Sequence, residues 1–249
     1  NKPTFDNIDG IDGSYAVFNG VNNYVNFGTA AYPKAGDFPY GVGGGLEEGT
    51  LTCWIKPVQF GGLLSNYNDG TTTGFALSLA DNNGQAEARM NARGEAGDIA
   101  TVQGRPGRTD WDMLGDGQWH MLAAVWKWGE AMTVYVDGGP VASVAAGSPD
   151  EFADWQRGVL FGATRNAEDR DVLQNFYGGL ADTLRVYNYV LTPEEIASEY
   201  YAATGRMACT DPSFAGSEVN FDNSGSSYCR IDLADLAAFA RAWLSDGLY

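Results

Sequence analysis

The 249-residue chain sets 32 acidic side chains against 15 basic ones, for a net charge of −17. That balance argues against a nucleic-acid binder, which needs basic surface to release counterions from phosphates; it suits divalent cations, neutral or cationic ligands, or simply a solvated surface. With 19% charged residues, 13% aromatics and 33 glycines the composition speaks for many short strands and tight turns, not for disorder or a coiled coil, and no apolar run approaches the ~18 residues that span a bilayer.

Residues 1–14 are polar and turn-rich, with Asp6, Asp9 and Asp12 three apart. Asp-Gly pairs here read as turns, although the same spacing also offers carboxylates to a cation. Short strands follow at Tyr15 to Phe18 and Asn23 to Phe27 around the turn Asn19-Gly20-Val21-Asn22, then a Gly/Pro-rich loop over 29–48. Further strands are expected at Leu51 to Lys56, Gly62 to Asn66, Phe75 to Leu79 and Gln85 to Asn91, punctuated by Asp69-Gly70 and Asn82-Asn83-Gly84. Residues 92–118, with Gly, Arg and Asp around Trp111, read as a long excursion, the kind of loop in which binding residues sit on a rigid scaffold.

A hairpin comes next. Asp116 and Gly117 make a turn, Trp119 to Lys127 a strand, Gly129 a reversal and Met132 to Val136 a second strand. The second strand alternates Met132, Val134, Val136 with Thr133, Tyr135, Asp137, so one of its faces is drier. The first has Met121, Ala123, Val125 on one side and Leu122, Ala124, Trp126 on the other; apolar on both faces, it belongs in the middle of a sheet. Pro140 to Ala145 is another short strand, Pro149 to Arg157 an acidic loop holding Trp155, Val159 to Ala163 a strand, and Leu180 to Val190 the last one. Thr192-Pro193-Glu194-Glu195 starts a helix through a capping box and a proline at the first helical position; Ile196 and Tyr200 share one face, which is expected to pack on the sheet edge, and the helix ends near Gly205.

The texture changes at Arg206. Cys209 and Cys229 enclose a Ser-, Gly-, Asn- and Asp-rich run, and a disulfide between them would add ~3 kcal/mol by loop entropy and imply an oxidising, exported setting. Cys53 alternates with Leu51 and Ile55 and reads as core. In IDLADLAAFARAWL, Leu233, Leu236, Ala240 and Trp243 trace one face of an amphipathic helix capped by Asp232.

DGQWHMLAAV followed by MTVYVDG resembles the central hairpin of laminin-G-like domains of the concanavalin A-like superfamily, and FNGVNNYVNFG, GTLTCWIKP and FYGGLADTLRVYNYVLTPEEI fit the same family in order. The resemblance implies an all-β antiparallel jelly-roll β-sandwich over 1–205 with a short helical appendage. The tail over 206–249 resembles dockerin-like C-terminal segments, but its calcium loop is not clean. Counting back from Asp235 places Ser224, Ser226 and Tyr228 at ligand positions, and a shifted frame uses Asn220, Asp222 and Ser224 with Asp232 and Asp235. Laminin-G-like domains commonly hold calcium at the sandwich rim. The positions this implies here are Asp182, with Asn22, Asn23 and Asp116 as further oxygen ligands, although Asp182 is also explained as a strand-end cap.

Catalysis finds little support. The superfamily's glycosidases set carboxylates on one strand face by an E-x-D-x-(x)-E run, which is absent. The single histidine, His120, cannot build a triad or a His-clustered zinc site and reads as a ring bonded within the sheet. Tyr67, Trp111, Trp126, Trp128 and Trp155 are candidates to stack on sugar rings, with burial in the core the competing reading for Trp126 and Trp128. The expected function is a non-enzymatic, secreted or cell-surface carbohydrate-binding or adhesion module, calcium-stabilised, whose partner is a polysaccharide or glycan. The alternative is a structural subunit of an extracellular filament or surface layer, pairing with other copies or an assembly protein through an open edge of the last strand, because no hydrophobic strand opens the chain.

Overall fold

Two strands are buried along nearly their whole length, and the architecture follows from where they must sit. β4 (Glu48–Gln59) and β9 (His120–Lys127) carry apolar side chains on both faces, so each requires cover on either side. In the computed structural model, which describes residues 2–6, 10–27, 48–65, 74–82, 85–94, 97–104, 114–147, 159–165, 171–206 and 208, the two pair antiparallel inside a seven-stranded sheet. From one edge to the other that sheet runs β1 (Thr4–Asp6), β2 (Tyr15–Asn19), β15 (Gly178–Tyr187), β4, β9, β10 (Ala131–Val136) and β11 (Gly139–Ala145). A six-stranded sheet faces it, in the order β3 (Val25–Asn26), β12 (Leu160–Phe161), β5 (Gly61–Ser65), β6 (Gly74–Asn82), β7 (Gln85–Gly94), β8 (Gly97–Gly104). A ribbon of β13 (Thr164–Arg165) and β14 (Leu173–Gln174) flanks it. This is an antiparallel jelly-roll sandwich with one helix, as the sequence resemblance implied.

Between the sheets lies the main core. Leu51, Cys53 and Ile55 from β4, Leu122, Ala124 and Trp126 from β9, and Val134 and Val136 from β10 meet Phe75, Leu77, Ala88, Met90 and Val102 of the other sheet. Each large side chain removed from water in this way contributes about 1.5–3 kcal/mol. A second cluster covers the outer face of the seven-stranded sheet: Trp54, Met121, Ala123, Val125 and Tyr135 pack beneath Leu191, Ile196 and Tyr200. The last two belong to helix α1 (Pro193–Thr204), whose N-terminus carries the expected capping box between Thr192 and Glu195 and whose C-cap is Gly205 at φ 68°.

The structure changes several expectations. Thr4–Asp6 is a strand paired with β2, not part of a turn-rich lead-in. The presumed excursion over 92–118 contains β8, which pairs with β7 along most of its length. Alternation there is masked by Gly94, Gly97 and Gly104, so the strand lacks an apolar stripe in the sequence. The helix packs over the outer face of the sheet, where Trp54 and Tyr200 stack with ring centroids 5.8 Å apart, as well as against the edge strand β11. Trp126 is 1% exposed in the inter-sheet core, which removes it as a sugar platform. The last strand begins at Gly178 and lies between β2 and β4, paired with β2 over Gly178–Ala181, so the open edge expected there is occupied over those four residues. Residues 209–249, with Cys209, Cys229 and the dockerin-like helix, lie outside the described residues.

Candidate functional site

The outer face of the six-stranded sheet carries the polar side of two alternating strands. On β6, Phe75, Leu77 and Leu79 turn into the core, leaving Ala76, Ser78 and Ala80 outward; on β7, Ala88, Met90 and Ala92 turn in and Glu87, Arg89 and Asn91 out. Register sets these in rows across the strands. Gly62 of β5 pairs with Ser78, Ser78 with Arg89, and Arg89 with Gln103 of β8; beside that row run Ala76, Asn91 and Thr101. Small residues on β5 and β6 next to long ones on β7 leave a depression. Gln59, Phe60, Thr164 and Asn175 wall it on the β5 side, and the cleft so formed has a volume of about 370 Å³, within the range that small-ligand pockets occupy.

Two local devices hold the far wall. Gly62 admits the chain at Ala163 and Thr164, since a Cβ there would stand 2.5 Å from Thr164 Cγ2 and 2.8 Å from the Ala163 carbonyl carbon. Ser65 Oγ fixes the same segment by donating to the Ala163 carbonyl at 2.9 Å. Asn175 takes a left-handed backbone, φ 50°, which asparagine tolerates better than most residues, and its Nδ2 donates to Thr164 Oγ1 at 3.0 Å. Gln59 Nε2 donates to the carbonyls of Gly20 (2.9 Å) and Phe176 (3.2 Å). Among the described residues the amide oxygens of Gln59 and Asn175 therefore accept no hydrogen bond, and Asn91 Oδ1 is buried without a donor. Arg89 is pinned by one contact, Nε to Gln103 Oε1 at 3.0 Å.

These groups are suited to recognition. Amide oxygens, a hydroxyl and guanidinium N–H groups beside the Phe60 ring match the hydroxyls and C–H faces of a polyol. Among the described lining residues there is no Asp, Glu, His or Cys to act as acid, base or nucleophile.

The described site residues expected from the sequence do not line the cleft. Tyr67, Trp111 and Trp155 lie outside the described residues. Trp128 sits half-buried in the turn after β9, packed on the core with its ring 6.5 Å from that of Trp126, and does not line the cleft. The four expected metal ligands are held in three separate places. Asn22 and Asn23 close a turn around Asn19: Asn22 Oδ1 accepts from Asn19 Nδ2 and Asn23 Oδ1 from the Asn19 backbone. Asp182 caps a loop, its Oδ2 accepting from the backbone N–H of Ile11 (2.7 Å) and Asp12 (3.1 Å). Asp116 closes the turn before β9 by accepting from Gln118 N, and its Oδ1 also lies 3.0 Å from His120 Nε2. Each of the four side chains is thus engaged in a local turn or cap. Among the described residues no three of His, Cys, Asp or Glu gather where a cation would sit.

Arg89, Asn91, Ser78, Gln59 and Asn175 were missed by reading the sequence. A signal was present on β7, where Glu87, Arg89 and Asn91 alternate with Ala88 and Met90. That marks a polar face, but only the partner strands show that it borders a hollow.

A laminin G-type family model, described as the concanavalin A-like lectin/glucanases superfamily, matches residues 19–197. Among solved structures, domain 4 of AbnA, an extracellular arabinanase of Geobacillus stearothermophilus, superposes with a TM-score of 0.52 at 22% identity, covering 78% of this chain and 80% of that one. The binding domain of Paraclostridial Mosquitocidal Protein 1 gives 0.55 at 15% identity over 81% of this chain and 47% of that one. The mouse laminin alpha1 LG4-5 chain, 20% identical over 69% of this chain, is spanned for 40% of its length, at a TM-score of 0.49. At these identities the arabinanase and mosquitocidal-protein domains show the shared sandwich, and the family match settles the wider membership: the chain belongs to the concanavalin A-like lectin/glucanases superfamily.

Proposed function

We propose that this protein is a non-catalytic carbohydrate-binding module working outside the cell, which holds a glycan in the cleft of the six-stranded sheet. The observation that carries the reading is the cleft itself, with the buried, unsatisfied amide oxygen of Asn91 and the exposed amides of Gln59 and Asn175 next to Ser78, Arg89 and the Phe60 ring. A buried acceptor without a donor costs about 1–3 kcal/mol, and the hydroxyls of a sugar are donors of the kind that relieve it. Two relatives support the class: the arabinanase domain was solved with arabinotriose, and the mosquitocidal protein's domain is a binding domain. The first comes from an extracellular enzyme, which agrees with the exported setting inferred from the cysteines.

Calcium has no assigned place in this reading. The adhesive role is that of the same cleft, and the edge on which the filament alternative rests is covered by β2 over Gly178–Ala181.

The test is binding to a panel of soluble polysaccharides by affinity electrophoresis and calorimetry, with Asn91→Ala and Ser78→Ala as variants. Retardation by at least one polysaccharide, weakened tenfold or more in both variants while their melting temperatures hold, is the expected result. A protein that binds no polysaccharide, or whose binding ignores both substitutions, removes the proposal.

A further inference from the structure

Arg89 is the charged residue among the described lining of the cleft. It is partly buried, and among the described residues its one hydrogen bond is that from Nε to Gln103, a neutral amide. The chain has 32 acidic side chains, yet no described carboxylate forms an ion pair with this guanidinium. Glu87, two residues earlier on the same face, does not line the cleft and has partners of its own. A half-desolvated cation with no counter-ion among the described residues is a poor way to stabilise a fold. It is a good way to receive an anion.

We propose that the cleft selects a sugar carrying a carboxylate, a uronic acid, through Arg89; the proposal rests on the glycan-binding reading above and names its substrate class. With Nε taken by Gln103, the Nη groups keep the planar donors that match a carboxylate. Ser78 faces Arg89 directly across the strand pair, and Asn91 follows two positions along β7, about 7 Å away by strand rise, a separation on the scale of one sugar ring. The carboxylate meets Arg89 while ring hydroxyls reach Ser78 and Asn91, over a floor kept low by Gly62, Ala76 and Ala80. Repulsion from carboxylates farther than about 8 Å is screened at physiological ionic strength, so the charges beside the sugar decide.

The experiment compares oligogalacturonate, its methyl ester, a sulfated neutral oligosaccharide and an arabino-oligosaccharide by calorimetry on the full chain, in wild type, Arg89→Lys and Arg89→Gln. The expected result is tightest binding to the uronate, a loss of tenfold or more on esterification, a similar loss in Arg89→Gln and a smaller one in Arg89→Lys. Neutral sugars bound as tightly as the uronate, or a uronate preference that survives Arg89→Gln, overturn this inference while leaving the glycan-binding reading standing. Tighter binding of the sulfated sugar overturns the carboxylate assignment. Binding of none of the four, together with indifference of any bound polysaccharide to Asn91→Ala, removes the underlying reading as well.

Discussion

Asp137 holds His120 from the turn of the next hairpin: its Oδ2 lies 2.8 Å from His120 Nδ1, while its Oδ1 accepts the neighbouring Met121 N–H at 2.9 Å. Asp137 and Gly138 both have positive φ, 52° and 80°, as a two-residue turn of the mirror-image type requires, so the Asp-Gly pair that closes β10 onto β11 also aims a carboxylate back at β9. With Asp116 on Nε2, the buried ring is bracketed by two carboxylates. The arrangement ties three segments of the seven-stranded sheet together and explains why the chain's only histidine stands at this point.

Burial alone would lower the pKa of His120, but the hydrogen bond and charge of Asp137, followed by those of Asp116, outweigh it and raise the value above 6.5. Because folding raises this pKa, the ring's contribution to stability is complete below the unfolded value near 6.5 and is lost as pH rises through the folded value. The single imidazole is resolvable by NMR titration. A midpoint above 6.5 that falls in Asp116→Asn, with a urea midpoint that declines toward alkaline pH less steeply in His120→Gln than in wild type, is expected; a ring titrating below 6.5 contradicts it.

Trp126 is seated on Gly49. The two face each other across β4 and β9, and a Cβ on Gly49 would fall 2.3 Å from Trp126 Cζ2. Gly49→Ala should therefore overpack the core at a cost of about 1–3 kcal/mol. Trp126→Ala should cost about 3–5 kcal/mol through the cavity it leaves. Urea unfolding measures both, and a neutral Gly49→Ala would mean that the indole has room to move.

The helix is fastened at both ends of its short length. Thr192 Oγ1 accepts from Glu195 N at 3.2 Å and Glu195 Oε2 accepts from Thr192 N at 2.8 Å, while Tyr200 stacks on Trp54. Thr192→Ala should destabilise by about 1 kcal/mol. Since the helix covers the face opposite the cleft, glycan affinity at a temperature well below melting should be unchanged; a parallel loss of affinity would link the two faces.

Cys53 is wholly buried and its thiol is pushed up to about 12 by desolvation. Native protein should leave this thiol unreacted with a disulfide reagent over hours at neutral pH. The pairing of Cys209 with Cys229 expected from the sequence then predicts one titratable thiol per chain after unfolding without reductant, and three after reduction. Three thiols before reduction would dismiss the disulfide.

Local chemistry was legible wherever a few adjacent residues dictate the outcome. The strand apolar on both faces, the Asp-Gly turn and the Thr192-Pro193-Glu194-Glu195 helix start were all read correctly, because period, turn conformation and capping depend on neighbours in the chain. Strands rich in glycine or very short were not: β8 and β1 owe their existence to partners at β7 and β2. Trp126, whose alternation allowed either face, was assigned to the core only by the glycine opposite it.

What the sequence by itself determined was the class of fold, an acidic antiparallel sandwich implied by its ordered laminin-G-like motifs, and the strands, turns and capped helix that alternation and capping set over a handful of bonds. What only the tertiary structure decided was the site. Gln59, Ser78, Arg89, Asn91 and Asn175 come from β4, β6, β7 and the segment after β14, and no spacing in the chain connects them. They meet because strand register sets small side chains beside large ones across a sheet, and register is fixed by the packing of the whole core.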